Sequence, residues 1–458
     1  MSKPTYPPTY NPHVVPSLVP KPWVQSPSAP ITLINCKVVD VINGKIIPVL
    51  QSIKLEAGKI LSISPTSDDT QTQQDSSNVV DIDGHYICPG LIDCHVHIIH
   101  TPGEPTIAQM RQVPRELAAL RSTYVLRTML TRGFTTIRDL GGANKLIANA
   151  LEEGVISGPR LIQCGYVISQ TGGHGDSLPS ISGANEGCCG HVYSSGRTAD
   201  GVPAVLKAVR EEIKAGADFI KLMIGGGVAS PYDSIESIQF TPEEVRAATS
   251  TAWNSGRLIC TAHAYTPDAI RYAVDNGVKG IEHGNLLDEP TAQLLKEKGV
   301  WLTPTLATYG AFTRPPFDKV LPPSGMEKNK YVMTRGLESL KLAHETGVQI
   351  CFGTDLLNSM HALQTEEFSI RSIVLPSEAI LRQATVNAAY SGAPPLIAKM
   401  LGFEGQLGVI AKDAIADMIV LSKNPLDDIT ILDRPEENLL AVIKEGRLVS
   451  GQLEGFSA

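Results

Sequence analysis

Residues 89–97 read PGLIDCHVH, and the reading of this stretch decides the fold. A Pro-Gly turn leads into an apolar run that ends in two histidines one residue apart. Successive side chains of a strand point to opposite faces, so in a strand His95 and His97 project the same way. Two imidazoles on a buried face need partners, and a shared metal ion is one. The HxH spacing alone fits a pair of ordinary, satisfied histidines equally well. The rest of the chain has to separate the two.

Seven further short apolar runs follow: FTTIRDL (134–140), RLIQCG (160–165), DFIKLMI (218–224), RLICTAHA (257–264), GIEHG (280–284), WLTPTL (301–306) and QICFGTD (349–355). Helical segments separate most of them. In 241–256, Thr241 stands as N-cap, Pro242 at the first helical position and Glu244 three residues after the cap, a capping box. The segment 266–277 opens on Thr-Pro and stops at Asn-Gly. Eight β-then-α units over about 300 residues predict a (β/α)8 barrel, placed at 89–404. The rival, a doubly wound open sheet, lacks a Gly-rich phosphate fingerprint after its first strand.

The two ends of the chain have another texture. Residues 31–64 alternate apolar and polar side chains between Asn-Gly and Ala-Gly-Lys turns, which reads as antiparallel β. Residues 79–90 read as another strand pair, and GQLGVIAKDAIADMIVLS and AVIKEGRLVSG repeat the pattern near the C-terminus. The expected class is therefore α/β: a TIM-like barrel with a small β-sandwich domain built from 31–88 and 405–458. Residues 1–30 are Pro-rich and lack the apolar core of a signal peptide. They read as an arm that is extended on the surface or on a partner subunit, or else disordered.

Composition excludes several classes. The 458 residues are 42% hydrophobic and 19% charged, enough for a large core. A net charge of −8 does not suit a nucleic-acid binder, which needs a basic face. No apolar run reaches membrane-spanning length. The eight cysteines form no CxxC pair, four of them (Cys94, Cys164, Cys260, Cys351) sit in apolar runs, and the adjacent Cys188-Cys189 is unsuited to an ordinary disulfide. Reduced thiols and a cytoplasmic protein are expected.

In a (β/α)8 barrel the active site lies at the C-terminal ends of the strands. Run one carries His95 and His97 there, run four Lys221, run five His263, run six His283, and run eight ends in Asp355. Packing alone does not explain six such residues on five strands, because charged side chains are seldom buried unpaired. Lysine is a poor cation ligand while it is an ammonium. Desolvation that lowers its pKa frees the amine to take up carbon dioxide, and the carbamate so formed can bridge two ions. His95, His97 and Asp355 would hold the first ion, His263 and His283 the second.

With these motifs the chain resembles the metal-dependent amidohydrolase superfamily. The matching stretches are PGLIDCHVH, FIKLMIGGG, CTAHAYTPDAIRYAVDNGVKGIEHGN, FGTD and GVIAKDAIADMIVLSKNPLDD. The chain is similar to the imidazolonepropionase-related branch, with its Xaa-Pro and Xaa-Arg dipeptidases and ochratoxinase, a comparison that SQTGGHGD (169–176) strengthens. The resemblance implies two divalent ions, zinc foremost, with a carboxylated Lys221; the ligand set also suits manganese or cobalt. It implies hydrolysis of an amide bond beside a free carboxylate, in a small molecule such as a dipeptide or N-acyl amino acid. By the same analogy Asp355 moves the proton of the attacking water, His174 donates to the substrate carbonyl, and Tyr265 holds the terminal carboxylate, with barrel-mouth packing as its other role.

Arg138 is expected to pair with Asp139. His191 and Tyr193 belong to an insertion at 172–200, long enough for a lid. The glycines of 224–234 would let backbone approach the pocket. His85, His100, His344 and His361 receive no role. The alternatives are a cyclic amide hydrolase and a one-metal decarboxylase of an aromatic acid. A non-catalytic relative ranks last because the ligand set is complete. The Pro-rich arm points to a homo-oligomer.

Overall fold

The computed structural model describes residues 21, 23–24, 28–67, 78–176, 195–256, 259–389 and 406–453. Most of the Pro-rich arm, Cys188, Cys189, His191 and Tyr193 lie outside them.

Six strands open the fold: β1 (Ile31–Asp40), β2 (Lys45–Ile46), β3 (Gln51–Glu56), β4 (Lys59–Pro65), β5 (Val79–Asp81) and β6 (Tyr86–Pro89). β1, β3 and β4 form an antiparallel meander, as the alternating pattern predicts. The two strands of 79–90 do not pair with each other. Both lie parallel to β1, with Thr32 opposite Val79 and Val38 opposite Ile87. β1 is ten residues long, so one strand carries two partners in tandem. Its register shifts between Leu33 and Cys36, where Asn35 takes a φ of 59°.

The central segment supplies β7 (Leu91–Val96), β8 (Phe134–Asp139), β9 (Arg160–Gln163), β10 (Val167–Ser169), β11 (Gly196–Thr198), β12 (Ile220–Met223), β13 (Cys260–Ala264), β14 (Gly280–His283) and β15 (Trp301–Thr303). All their mutual ladders are parallel. Every residue of β7, β8, β12, β13 and β14 is buried, the signature of strands covered on both faces. The third barrel strand is broken into β9 and β10 around Gly165, which has a φ of 68°. Asp218 N donates to Gln163 O at 2.8 Å, joining the third strand to the fourth. The eighth run lacks a regular ladder, but its backbone closes the barrel. Cys351 N donates to Leu302 O at 2.9 Å, and Cys94 N to Phe352 O at 2.8 Å.

The intervening helices begin as the sequence predicts. Thr241 Oγ1 accepts from Glu244 N, and the Glu244 carboxylate returns to Thr241 N at 2.7 Å, opening the helix Pro242–Gly256. Thr266 caps the helix Pro267–Asp275 by accepting from Ala269 N.

The chain then returns through β16 (Met418–Leu421), β17 (Leu439–Lys444) and β18 (Arg447–Gly451). The hydrogen-bonded order β18-β17-β16-β6-β1-β3-β4 merges both chain ends into one β-rich unit. It meets the barrel at a buried ion pair: Arg160 of β9 reaches Asp417 at 2.6 Å and Thr136 at 3.0 Å. Gly90 links β6 to β7. A Cβ there would meet Thr135 Oγ1 at 2.2 Å, so the turn demands glycine. The six described cysteines are buried and free. Among the described residues no helix is long and apolar enough to cross a membrane.

Candidate active site

The eight side chains singled out from the sequence all line one cavity of about 110 Å³ at the C-terminal end of the barrel. His97 lies one residue past the end of β7, yet it faces the cavity beside His95. Asp355 Oδ1 is 3.1 Å from His97 Nε2 and 3.4 Å from His95 Nε2, and Asp355 Oδ2 is 4.0 Å from His283 Nδ1. His95, His283 and Asp355 offer ligand atoms within 4.8 Å of one another. The His263 ring centroid is 4.5 Å from that of His283, and the His95 centroid 4.8 Å from it.

Each of three imidazoles has one nitrogen engaged and the other left over. His95 Nδ1 donates to the buried Glu282 carboxylate at 3.0 Å, which leaves the lone pair on Nε2. His263 Nε2 sits 3.1 Å from Gly226 O; a carbonyl only accepts, so Nε2 carries the proton and Nδ1 is the free base. His283 Nδ1 meets the hydroxyls of Thr305 (2.8 Å) and Tyr309 (3.0 Å), leaving Nε2. The buried Nδ1 of His97 has no hydrogen-bond partner among the described residues. Fixing one ring nitrogen through an outer partner is how metal-binding histidines are oriented.

Electrostatics favours the ligating forms. Burial holds His263 and His283 well below the ordinary histidine range, assisted by neighbouring histidines and Lys221. Burial opposes ionisation of Asp355, but His95 and His97 outweigh it and hold its pKa well below the usual carboxylate value. The same pairing works in the other direction on His95: burial opposes its charge, yet Asp355 and Glu282 raise its pKa. Lys221 is 1% exposed, and burial lowers its pKa to about 8. His174 is lowered to about 4, mainly by burial.

The glycine-rich stretch 224–234 does approach the cavity. Val228 and Ala229 line it, and a Cβ on Gly227 would fall 2.0 Å from the His174 ring. His174 stacks on His263 at 4.3 Å, and its Nδ1 is 3.8 Å from Asp233, whose carboxylate is held by Gln239 and Lys328. Tyr265 is 3% exposed and accepts at its hydroxyl from Tyr309 OH at 2.9 Å.

One expectation fails. Arg138 does not pair with Asp139. It crosses the barrel to Glu282, with NH2 2.9 and 3.0 Å from the two carboxylate oxygens, while its Nε donates to Cys94 O at 2.7 Å. Successive strand residues face opposite sides, so Asp139 points away, and it accepts instead from the backbone N–H groups of Ile98, Gly141 and Ala143. Glu282, Tyr309 and Arg111 were not picked out from the sequence. An acid inside the apolar run GIEHG was a signal for Glu282; nothing local marks Tyr309 or Arg111. His100, given no role, lines the cavity, and burial lowers its pKa to about 3.

Comparison with known proteins agrees with this geometry. Residues 86–449 match the model of the amidohydrolase family. The chain is 32% identical over 385 residues to ochratoxinase of Aspergillus niger, an alignment covering 80% of this chain and 76% of that protein. A prolidase crystal structure, complexed with N-methylphosphonate-L-proline, is 39% identical with a TM-score of 0.84, covering 93% of this chain and all of that one. A Xaa-Pro dipeptidase with bound methionine in the active site is 29% identical with a TM-score of 0.79, covering 92% and 100%. The chain belongs to the amidohydrolase family and is a hydrolytic enzyme.

Proposed function

We propose that the enzyme hydrolyses an amide bond adjacent to a free carboxylate, in a dipeptide or an N-acyl amino acid. The observation that carries this is the convergence of His95, His97, Lys221, His263, His283 and Asp355 on one cavity. The similarity to ochratoxinase and to Xaa-Pro dipeptidases supports the same class of substrate.

The donor set fits two divalent ions, with zinc foremost. His95, His97 and Asp355 would hold one, His263 and His283 the other, and Lys221, carboxylated, would stand between them. When bound, such ions supply a water of lowered pKa and polarise the scissile carbonyl. The chain's own groups do the rest. Asp355 is ionised and takes the proton of the attacking water, then delivers it to the leaving nitrogen. His174 is neutral, so one ring N–H donates to the carbonyl oxygen. The Tyr265 oxygen already accepts from Tyr309 OH, so its own proton is free to donate to the substrate carboxylate.

Zinc-loaded enzyme should release a free amine from members of a panel of N-acyl amino acids and dipeptides. Release of carbon dioxide instead would replace this reading with the decarboxylase. Asp355→Asn should keep the fold and most of the metal while turnover falls about 100-fold or more; a near-normal rate removes Asp355 from the proton path.

A further inference from the structure

Taken as an amide hydrolase, the site still has to draw a carboxylate out of water into a cavity lined by apolar as well as polar side chains. Ile107, Met110, Val228, Phe312 and Leu357 wall it, all at most 9% exposed. A charge enters such a space only against a counter-charge. Tyr265 is a neutral donor. Lys221, once carboxylated, is anionic. Apart from the histidines, the only other cation lining the cavity among the described residues is Arg111.

The backbone of Arg111 is held in place. It ends the short helix Ile107–Met110, whose first turn is capped by Thr106 and anchored through Ile107 N to Val320 O. Ile107 and Met110 fix that segment in the apolar cluster above the barrel. The guanidinium makes no hydrogen bond and no ion pair with any described residue, although it is largely desolvated. Tyr232 and then Asp176 favour its charge, and Asp176 accepts from Gly172 N at 2.9 Å. A planar fork of donors that lines the cavity and has no partner among the described residues matches a carboxylate bidentately.

We propose that Arg111 is the specificity-determining residue that receives the free carboxylate of the substrate. This rests on the amide-hydrolase reading, and the test separates the two. A set of N-acetyl amino acids with apolar side chains is assayed as pairs, each free acid against its carboxamide, with zinc-loaded enzyme. The acid should exceed the carboxamide in kcat/KM by about 10- to 100-fold, the range of a charge-assisted hydrogen-bond pair. In Arg111→Met the ratio should fall to about 1, with the larger change in KM, and Arg111→Lys should restore part of it. General damage to the site scales both members of a pair and leaves the ratio unchanged. If no acid is cleaved, the amide-hydrolase reading fails and this proposal with it. If acids are cleaved but carboxamides equally well, or if Arg111→Met keeps the preference, that reading stands and the role of Arg111 is refuted.

Discussion

Replacing Arg138 with methionine separates the outer support of the site from the site itself. The guanidinium side chain is 4% exposed, and its partner Glu282 is fully buried. Besides Arg138, Glu282 has only His95 Nδ1 as a hydrogen-bond donor among the described residues. Arg138→Met therefore strands a buried carboxylate, which costs about 3–5 kcal/mol. For a barrel of about 300 residues the unfolding entropy is about 0.6 kcal/mol per kelvin, so Tm should fall by about 5–8 °C. A second effect follows at the site. With Arg138 gone, the charge of Glu282 is no longer shared with a guanidinium, weighs more on His95 and favours its doubly protonated form. That form has no lone pair on Nε2, so affinity for a divalent ion should drop by about 10- to 100-fold. Calorimetry of chelator-treated protein reads the first effect, and a zinc titration reads the second. The double variant Arg138→Met/Glu282→Leu removes both charges and should regain most of the lost Tm. It should not regain zinc affinity, because His95 Nδ1 then lacks its acceptor. A single variant within about 1 °C of the parent, or with unchanged zinc affinity, refutes this account.

Two further substitutions probe the cavity directly. Lys221→Ala should bind fewer than two ions per chain by elemental analysis; two ions retained would exclude a bridging role. In the parent, burial disfavours the Lys221 ammonium, so the neutral amine grows as pH rises through about 8. Recovery of metal-stripped enzyme should accordingly depend on bicarbonate and quicken across that range, and a flat profile contradicts carboxylation at Lys221. Tyr309→Phe keeps the ring but deletes the hydroxyl that touches both Tyr265 OH and His283 Nδ1. It should cost about 10-fold in kcat/KM, the worth of one buried hydrogen bond to a neutral partner; an unchanged value means the network is idle.

How much of this was legible beforehand differs by element. The barrel was, because a parallel strand buried on both faces leaves a run of apolar letters, and a helix start leaves a Thr-Pro or a capping box. Seven of the eight runs contain regular strands. The eighth, QICFGTD, closes the barrel with scattered backbone bonds rather than a ladder. The convergence of six side chains was legible for a related reason: strand ends of one barrel share one rim, so position along the strand predicts position in space. The pairing of β5 and β6 was not legible. Alternation specifies which face is buried, not which neighbour a strand adopts. Arg138 was misread because its partner lies 144 residues away on another strand, while Asp139 is adjacent in sequence but on the opposite face.

What no local pattern encodes is the strain at the cavity. His283 has a φ of 75° and Asp355 a φ of 54°, a region that costs a non-glycine residue of order 1–3 kcal/mol. Aspartate and histidine enter this region more readily than most side chains, yet here both side chains face the cavity rather than closing a turn. Their backbones are fixed by neighbours: Asp355 N donates to His95 O at 2.8 Å, and Gly284 N to Ala264 O at 3.0 Å. Each strained residue thus hangs on the strand that carries another of the proposed ligands, β7 in one case and β13 in the other. Folding the barrel is what brings these strands together, so the cost is met by the core and not by whatever the cavity binds. A site assembled this way is ordered before its ligand arrives, which lets binding be spent on the reacting bond rather than on arranging the groups around it.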